Sequence, residues 1–355
     1  MSKLSRTYAK QSVYNSHITT QSIFISGATG YIAQHIILQL LARGDKVVGQ
    51  VRSAAKGDSF VKDFNNKNFS YEIVKVLEQE GAFDDVLAKH PEVTVFIHTA
   101  SPVNFDIEDN ERDILIPAIK GTKNVLASIK KSTPQIKRVV VTSSVVAAAT
   151  HSELEDPKYV GGEDSWLPTT YEEGKSADAQ SAYATSKKYA ELAAWEFVKE
   201  EKPNFILSSV LPGYVFGPQA FESGLENLNL TAAVVANALQ LKKDDEVPIF
   251  GGVSVDVRDI ALAHIYAFDK EETAGKRLVG YNNRFLFQQV VDVIRKNFKD
   301  LTDVLPVGNP IAPDHFDTYN PFVDVESRKA LGIDYIPFEK TIVEHITQIL
   351  DHQKK

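Results

Sequence analysis

From Gln21 onward, short continuous apolar runs alternate with stretches of helical period. Ile23 to Ile25, Val47 to Val51, Tyr71 to Leu77, Val93 to His98, Val139 to Ser143 and Ile206 to Leu211 read as strands. Each is followed by a turn or a helical pattern, the order that βαβ units require. The runs are apolar at successive positions rather than alternate ones, which predicts strands covered on both faces. The long stretch Ser181 to Glu200 reads as a helix. After Gly217-Pro218 the pattern becomes more helical and loop-rich, punctuated by Pro306, Pro310, Pro313, Pro321 and Pro337. The expected architecture is an α/β fold of Rossmann type, a doubly wound parallel sheet with a smaller C-terminal substrate lobe. Residues 22–217 would form the dinucleotide-binding part and 218–355 mainly the small lobe, with some segments returning to the sheet. Residues 1–21 are polar, carry Lys3, Arg6 and Lys10 without an acid, and read as a disordered tail or, alternatively, a transit peptide.

The junction between the first strand and the first helix carries the candidate chemistry. In Ser26-Gly27-Ala28-Thr29-Gly30-Tyr31-Ile32-Ala33, Gly27 supplies a tight turn and Gly30 lets backbone N–H groups approach a pyrophosphate. Small Ala33 permits close packing of helix on sheet. A plain turn also uses glycine, but strand and helix flank this one in the order that a dinucleotide site demands.

The end of the second strand decides which dinucleotide. An NAD site offers a carboxylate there to the ribose hydroxyls; this chain has Gln50 and Val51, then Arg52, with Lys56 nearby. A guanidinium fork suits a 2′-phosphate, so NADP(H) is expected, unless both cations simply face solvent.

Composition narrows the class. The chain has 355 residues, 43% of them hydrophobic, enough for a full core. It has no cysteine, which excludes disulfides and thiolate metal sites and permits a reducing compartment. A net charge of -8 argues against nonspecific nucleic-acid binding, and no apolar run approaches the roughly 20 residues of a membrane span. A cytoplasmic enzyme, monomer or homodimer, is the expectation, with no metal.

Tyr183 and Lys187 are four apart on the long helix and so share a face. An ammonium that stabilises phenolate would bring the tyrosine toward a useful acid/base range. The same spacing recurs at Tyr71 and Lys75, in a strand; at Tyr171 and Lys175, read as a loop; and at Tyr266 and Lys270, on a late helix. Only Tyr183 also has hydroxyls on a preceding strand end, in Thr142-Ser143-Ser144, and the residues alone leave the choice of serine open.

Together with His98-Thr99-Ala100-Ser101-Pro102, Glu111 to Ala118, Pro212-Gly213-Tyr214-Val215-Phe216-Gly217-Pro218-Gln219 and Asp256 to Ala261, these motifs resemble the extended short-chain dehydrogenase/reductases. Within them the chain is most similar to the yeast NADPH-dependent methylglyoxal/isovaleraldehyde reductase group, and more distantly to plant dihydroflavonol and cinnamoyl-CoA reductases. The resemblance implies NADPH-dependent reduction of an aldehyde or ketone: Ser144 hydrogen-bonds the carbonyl, Tyr183 gives its proton, and Lys187 lowers the tyrosine's pKa and holds the nicotinamide ribose. It also implies a cofactor set of Gly27, Thr29, Gly30, Tyr31, Ile32, Arg52, Lys56, Val76, Leu77, Ala100, Tyr183, Lys187, Pro212 and Val215. The substrate pocket would include Val103, Val145 and Tyr214.

Three positions depart from that pattern. Val76 stands where relatives place an Asp for the adenine amino group, Val145 where a tyrosine is frequent, and Val103 where a phenylalanine is common. The two smaller side chains near the substrate would admit bulky aryl or keto-ester carbonyls, or are neutral core changes. Other activities compatible with the motifs are a sugar-nucleotide epimerase, a hydroxysteroid dehydrogenase, or an NADP-sensing regulator without turnover, the last disfavoured by the retained Ser144, Tyr183 and Lys187. His98 reads as a structural histidine, Asp256, Arg258 and Asp259 as an ion-paired helix start, and Trp166 as a packing residue in a loop near the active site.

Overall fold

The computed structural model describes residues 20–101, 108–156, 158–159, 161–309 and 325–355. Val103 and the polar N-terminal tail lie outside the described residues, apart from its last two positions.

Seven strands form one parallel sheet in the order β3-β2-β1-β4-β5-β6-β9. They are β1 (Ser22–Ser26), β2 (Lys46–Val51), β3 (Phe69–Ile73), β4 (Val95–His98), β5 (Arg138–Thr142), β6 (Ile206–Pro212) and β9 (Arg277–Gly280). The order reverses between β1 and β4, which opens a crevice at the carboxyl ends of those strands. A second sheet, β10-β8-β7, joins Tyr214–Phe216 (β7), Gly251–Asp256 (β8) and Asn283–Leu286 (β10). This is the Rossmann-type doubly wound fold with a smaller C-terminal lobe.

The continuous apolar runs have the expected cause. Ile23, Ile25, Val95, Ile97 and Val140 point into one buried cluster with helices α1 (Tyr31–Arg43) and α6 (Val257–Asp269). The intervening Phe24, Phe96, Val139 and Val141 fill another with α3 (Ile116–Ser132) and α4 (Ala179–Glu201). Helix α2 (Ala54–Phe64) joins β2 to β3, and α5 (Leu230–Asn237), α7 (Phe287–Asn297) and α8 (Phe338–Gln353) belong to the C-terminal part. The small lobe has its own core, in which Phe216, Phe285, Val290, Ile294 and Ile346 are buried together.

Most element boundaries fall within two residues of the sequence reading, and two segments depart from it further. The third strand runs from Phe69 to Ile73 rather than to Leu77, because its ladder with β2 ends where Val51 pairs Ile73; beyond it Val76 is 45% exposed. Tyr171–Lys175 is a short helix rather than a loop. Thr170 and Glu173 close a reciprocal capping box at its start, and Gly174 leaves room for Thr185, whose Cγ2 would lie 2.5 Å from a Cβ there.

Candidate active site

The glycine turn is shaped for close approach by a ligand. Gly27 has φ +69°, and a Cβ on it would lie 2.9 Å from Ala100 Cα at the end of β4. Gly30 caps α1 with no side chain over the first helical N–H groups, and Thr29 and Gly30 are exposed. An uncapped helix start beside a bare backbone turn fits a pyrophosphate. Ala33, 1% exposed, lets α1 sit close to the sheet.

At the end of β2, Gln50 is buried and Arg52 and Lys56 are exposed at the start of α2, where Ser53 Oγ caps the Lys56 N–H at 3.4 Å. Gln50 Oε1 accepts from the Gly27 N–H at 2.8 Å, and its Nε2 donates to Val74 O at 2.7 Å. This residue therefore organises the loop instead of facing the ribose. The Tyr31 side chain is likewise committed: its hydroxyl donates to Gly217 O at 2.6 Å, so it pins α1 to the start of the small lobe and leaves only its backbone toward the loop. Ile32 is half-buried, and Leu77 packs against the apolar cluster beneath the sheet.

Ser144 follows the end of β5, half-buried, with its Oγ 3.4 Å from Pro212 O at the end of β6. Its neighbour Ser143 is buried and donates to Glu191 on α4 at 2.7 Å, so the two serines face different tasks. Val145 is 3% exposed in an apolar cluster against which Tyr183 packs. Lys187 Nζ stands 5.8 Å from the centroid of the Tyr183 ring. Burial pushes the Tyr183 hydroxyl up to about 12 and the Lys187 ammonium down to about 8. The expected lowering of the tyrosine by the lysine is therefore not what this structure gives. Desolvation governs both groups, and it weakens the ammonium that was to supply the effect.

Across the crevice, His98 at the end of β4 is buried, accepts or donates at 2.7 Å with Ser26 Oγ, and lies close enough to Lys187 to feel its charge. Burial first, then that charge, pulls its imidazole down to about 3, so it is neutral. No cluster of three or more metal-binding side chains occurs among the described residues. Val215 is buried in the main core. The partly buried Tyr214 packs its ring on Phe216 and Phe285 of the small-lobe core, at centroid distances of 6.0 and 5.3 Å. Trp166 lies under the Arg277 guanidinium, whose Cζ is 3.8 Å from the indole centroid. Asp256 caps α6 and pairs with Arg258 at 2.6 Å, as expected of an ion-paired helix start, whereas Asp259 accepts from the Ile336 N–H at 2.7 Å.

Residues 23–280 match the NAD dependent epimerase/dehydratase family. The chain belongs to this family. Over 337 residues it is 42% identical to the NADPH-dependent methylglyoxal reductase of Saccharomyces cerevisiae, a match that spans 93% of this chain and 98% of that one. Among solved structures it is similar to yeast methylglyoxal/isovaleraldehyde reductase complexed with NADPH, at 40% identity and TM-score 0.89, covering 94% and 99% of the two chains. It is also similar to a reductase engineered to attenuate substrate inhibition in asymmetric catalysis, at 53% identity and TM-score 0.90, covering 94% and 100%. No helix among the described residues is long and apolar enough to cross a membrane.

What the sequence reading missed is Glu191, the carboxylate that Ser143 addresses. Its signal was present in the sequence: it follows Lys187 by four on the same helix, continuing the stripe that Tyr183 begins.

Proposed function

We propose that this protein is an NADPH-dependent carbonyl reductase that converts aldehydes and ketones to alcohols, with Tyr183 as the proton donor. The observation that carries the reading is the placement of Ser144, Tyr183 and Lys187 around the carboxyl ends of β5 and β6, on the crevice that the bare Gly27–Gly30 turn also lines. The NADPH-dependent reductases that match nearly its full length support the same reading.

In this account Gly27, Thr29, Gly30 and the N–H groups opening α1 hold the pyrophosphate, and Arg52 with Lys56 receives the 2′-phosphate. Ala100, Pro212 and Val215 border the nicotinamide end, while Val76 and Leu77 flank the adenine. NADPH held by these residues would supply the hydride. Ser144 Oγ donates to the substrate oxygen and orients the carbonyl. Tyr183, protonated throughout the neutral range by its burial, gives its proton to that oxygen as negative charge develops. Lys187 then stabilises the phenolate until solvent returns a proton, so one carbonyl and one proton are consumed per NADPH. Val145, beside Ser144 and packed with Tyr183, forms the floor of the substrate site. Valine at 145, and at 103 in the sequence, where relatives carry larger side chains, would favour bulky aryl or keto-ester carbonyls.

The test is a stoichiometric assay with methylglyoxal, isovaleraldehyde and an aryl β-keto ester. The account predicts one alcohol formed per NADPH oxidised. Isomerised product without net NADPH loss would instead identify a redox-neutral epimerase.

A further inference from the structure

Resting on the reductase reading, we propose that Glu191 and Arg277 are a positioning pair for proton transfer: the Glu191 carboxylate latches the helix that carries Tyr183 and Lys187 onto the strand ends that carry Ser144, and sets the charge on which Lys187 depends.

Tyr183, Lys187, Glu191 and Trp195 follow one another at intervals of four on α4. The Glu191 side chain is fully buried. Its Oε1 accepts from Ser209 Oγ on β6 at 2.6 Å, from Arg277 Nε on β9 at 2.8 Å and from Trp195 Nε1 at 3.2 Å. Oε2 accepts from Ser143 Oγ at 2.7 Å and from Arg277 Nη2 at 3.2 Å. One carboxylate thus joins four elements, and Ser143 is the residue immediately before Ser144. The guanidinium is anchored in turn, since Arg277 Nη1 donates to Ser165 O at 2.7 Å and the plane stacks on Trp166. Such a hub fixes where the tyrosine, the lysine and the serine stand relative to one another.

A neutral hub would serve as well for geometry, but not for charge. Lys187 is buried, and burial favours its neutral amine; Glu191 is the group that opposes this. The other titratable or charged groups around Lys187 among the described residues are Tyr183 on the same helix and neutral His98 from β4, with Arg277 from β9 beyond Glu191. Removing the carboxylate's charge leaves the guanidinium to act on Lys187 alone, and both changes disfavour the ammonium. Removing the guanidinium has the reverse effect. Three hydrogen-bond donors remain to keep the carboxylate ionised.

The opposite signs make the inference testable. The pH dependence of kcat/KM for isovaleraldehyde reduction by NADPH is measured for wild type, Glu191→Gln, Glu191→Asp and Arg277→Met, with NADPH binding followed by fluorescence to verify the fold. The alkaline limb is expected to move down by about one pH unit in Glu191→Gln, a tenfold change in the protonation equilibrium. It moves up in Arg277→Met and stays near wild type in Glu191→Asp. An unmoved limb in Glu191→Gln with NADPH binding intact overturns the proposal and leaves Glu191 a structural tie. If Glu191→Gln does not fold, Arg277→Met decides alone, an upward limb supporting the pair and an unmoved one overturning it. A wild type that consumes no NADPH overturns the reductase reading itself, and the pair with it.

Discussion

Gln50 accepts a hydrogen bond from the Gly27 N–H at 2.8 Å, which ties the residue at the end of β2 directly to the glycine turn between β1 and α1. Its amide nitrogen simultaneously holds Val74 O, and since one partner only donates and the other only accepts, a single orientation of the amide satisfies both. Replacing it with Leu would strand a buried donor and a buried acceptor, each a loss of about 1–3 kcal/mol. Gln50→Leu is expected to lower the thermal midpoint and to weaken NADPH binding about tenfold, read by calorimetry and fluorescence titration. Unchanged NADPH affinity would show that the turn holds its shape without this tie.

Arg52 is exposed just after β2, and in the proposed function it receives the 2′-phosphate of NADPH. A charge-assisted hydrogen bond contributes about 1.5–3 kcal/mol, so Arg52→Ala should lower kcat/KM with NADPH by roughly tenfold to a hundredfold. Turnover with NADH should change little, because NADH lacks that phosphate. Equal losses with both cofactors would place Arg52 outside the phosphate site and leave Lys56 as the candidate.

Acid sensitivity follows from the buried histidines. Burial holds His35, His264 and His345 down at about 4 and His98 at about 3, against 6.5 for an ordinary imidazole. The unfolded chain takes up these protons as pH falls through 6.5, whereas the folded chain does not until near 4. Their contribution is thus complete above pH 6.5 and is lost as the pH falls toward the folded values. Between pH 7 and 5 each histidine should remove about 2 kcal/mol. Urea unfolding of His98→Asn at both pH values should show a loss smaller than wild type by about that amount; equal losses would mean that His98 is not held neutral.

Much of this architecture was legible in the sequence. The paired runs such as Phe24 between Ile23 and Ile25 show sheet burial on both faces, and the Gly27–Gly30 turn joins β1 to α1 as its glycines imply. Less legible were features set by distant partners. The third strand stops at Ile73 because β2 ends at Val51, which no local pattern around Val74 or Val76 encodes. The contact of the Tyr214 ring with Phe285 joins positions some seventy residues apart in the chain. Trp166 meets Arg277 only once β9 has entered the large sheet. The raised Tyr183 and lowered Lys187 are consequences of desolvation, a property of the assembled crevice and not of the four-residue spacing.

The most direct test of the central claim is NADPH oxidation on isovaleraldehyde by wild type and Tyr183→Phe, with NADPH affinity measured on both. The account predicts that wild type turns over, that Tyr183→Phe loses at least a hundredfold in kcat, in keeping with the 10²–10⁴-fold that general acid catalysis typically supplies, and that NADPH still binds within a few-fold. Turnover by Tyr183→Phe at near the wild-type rate would contradict it.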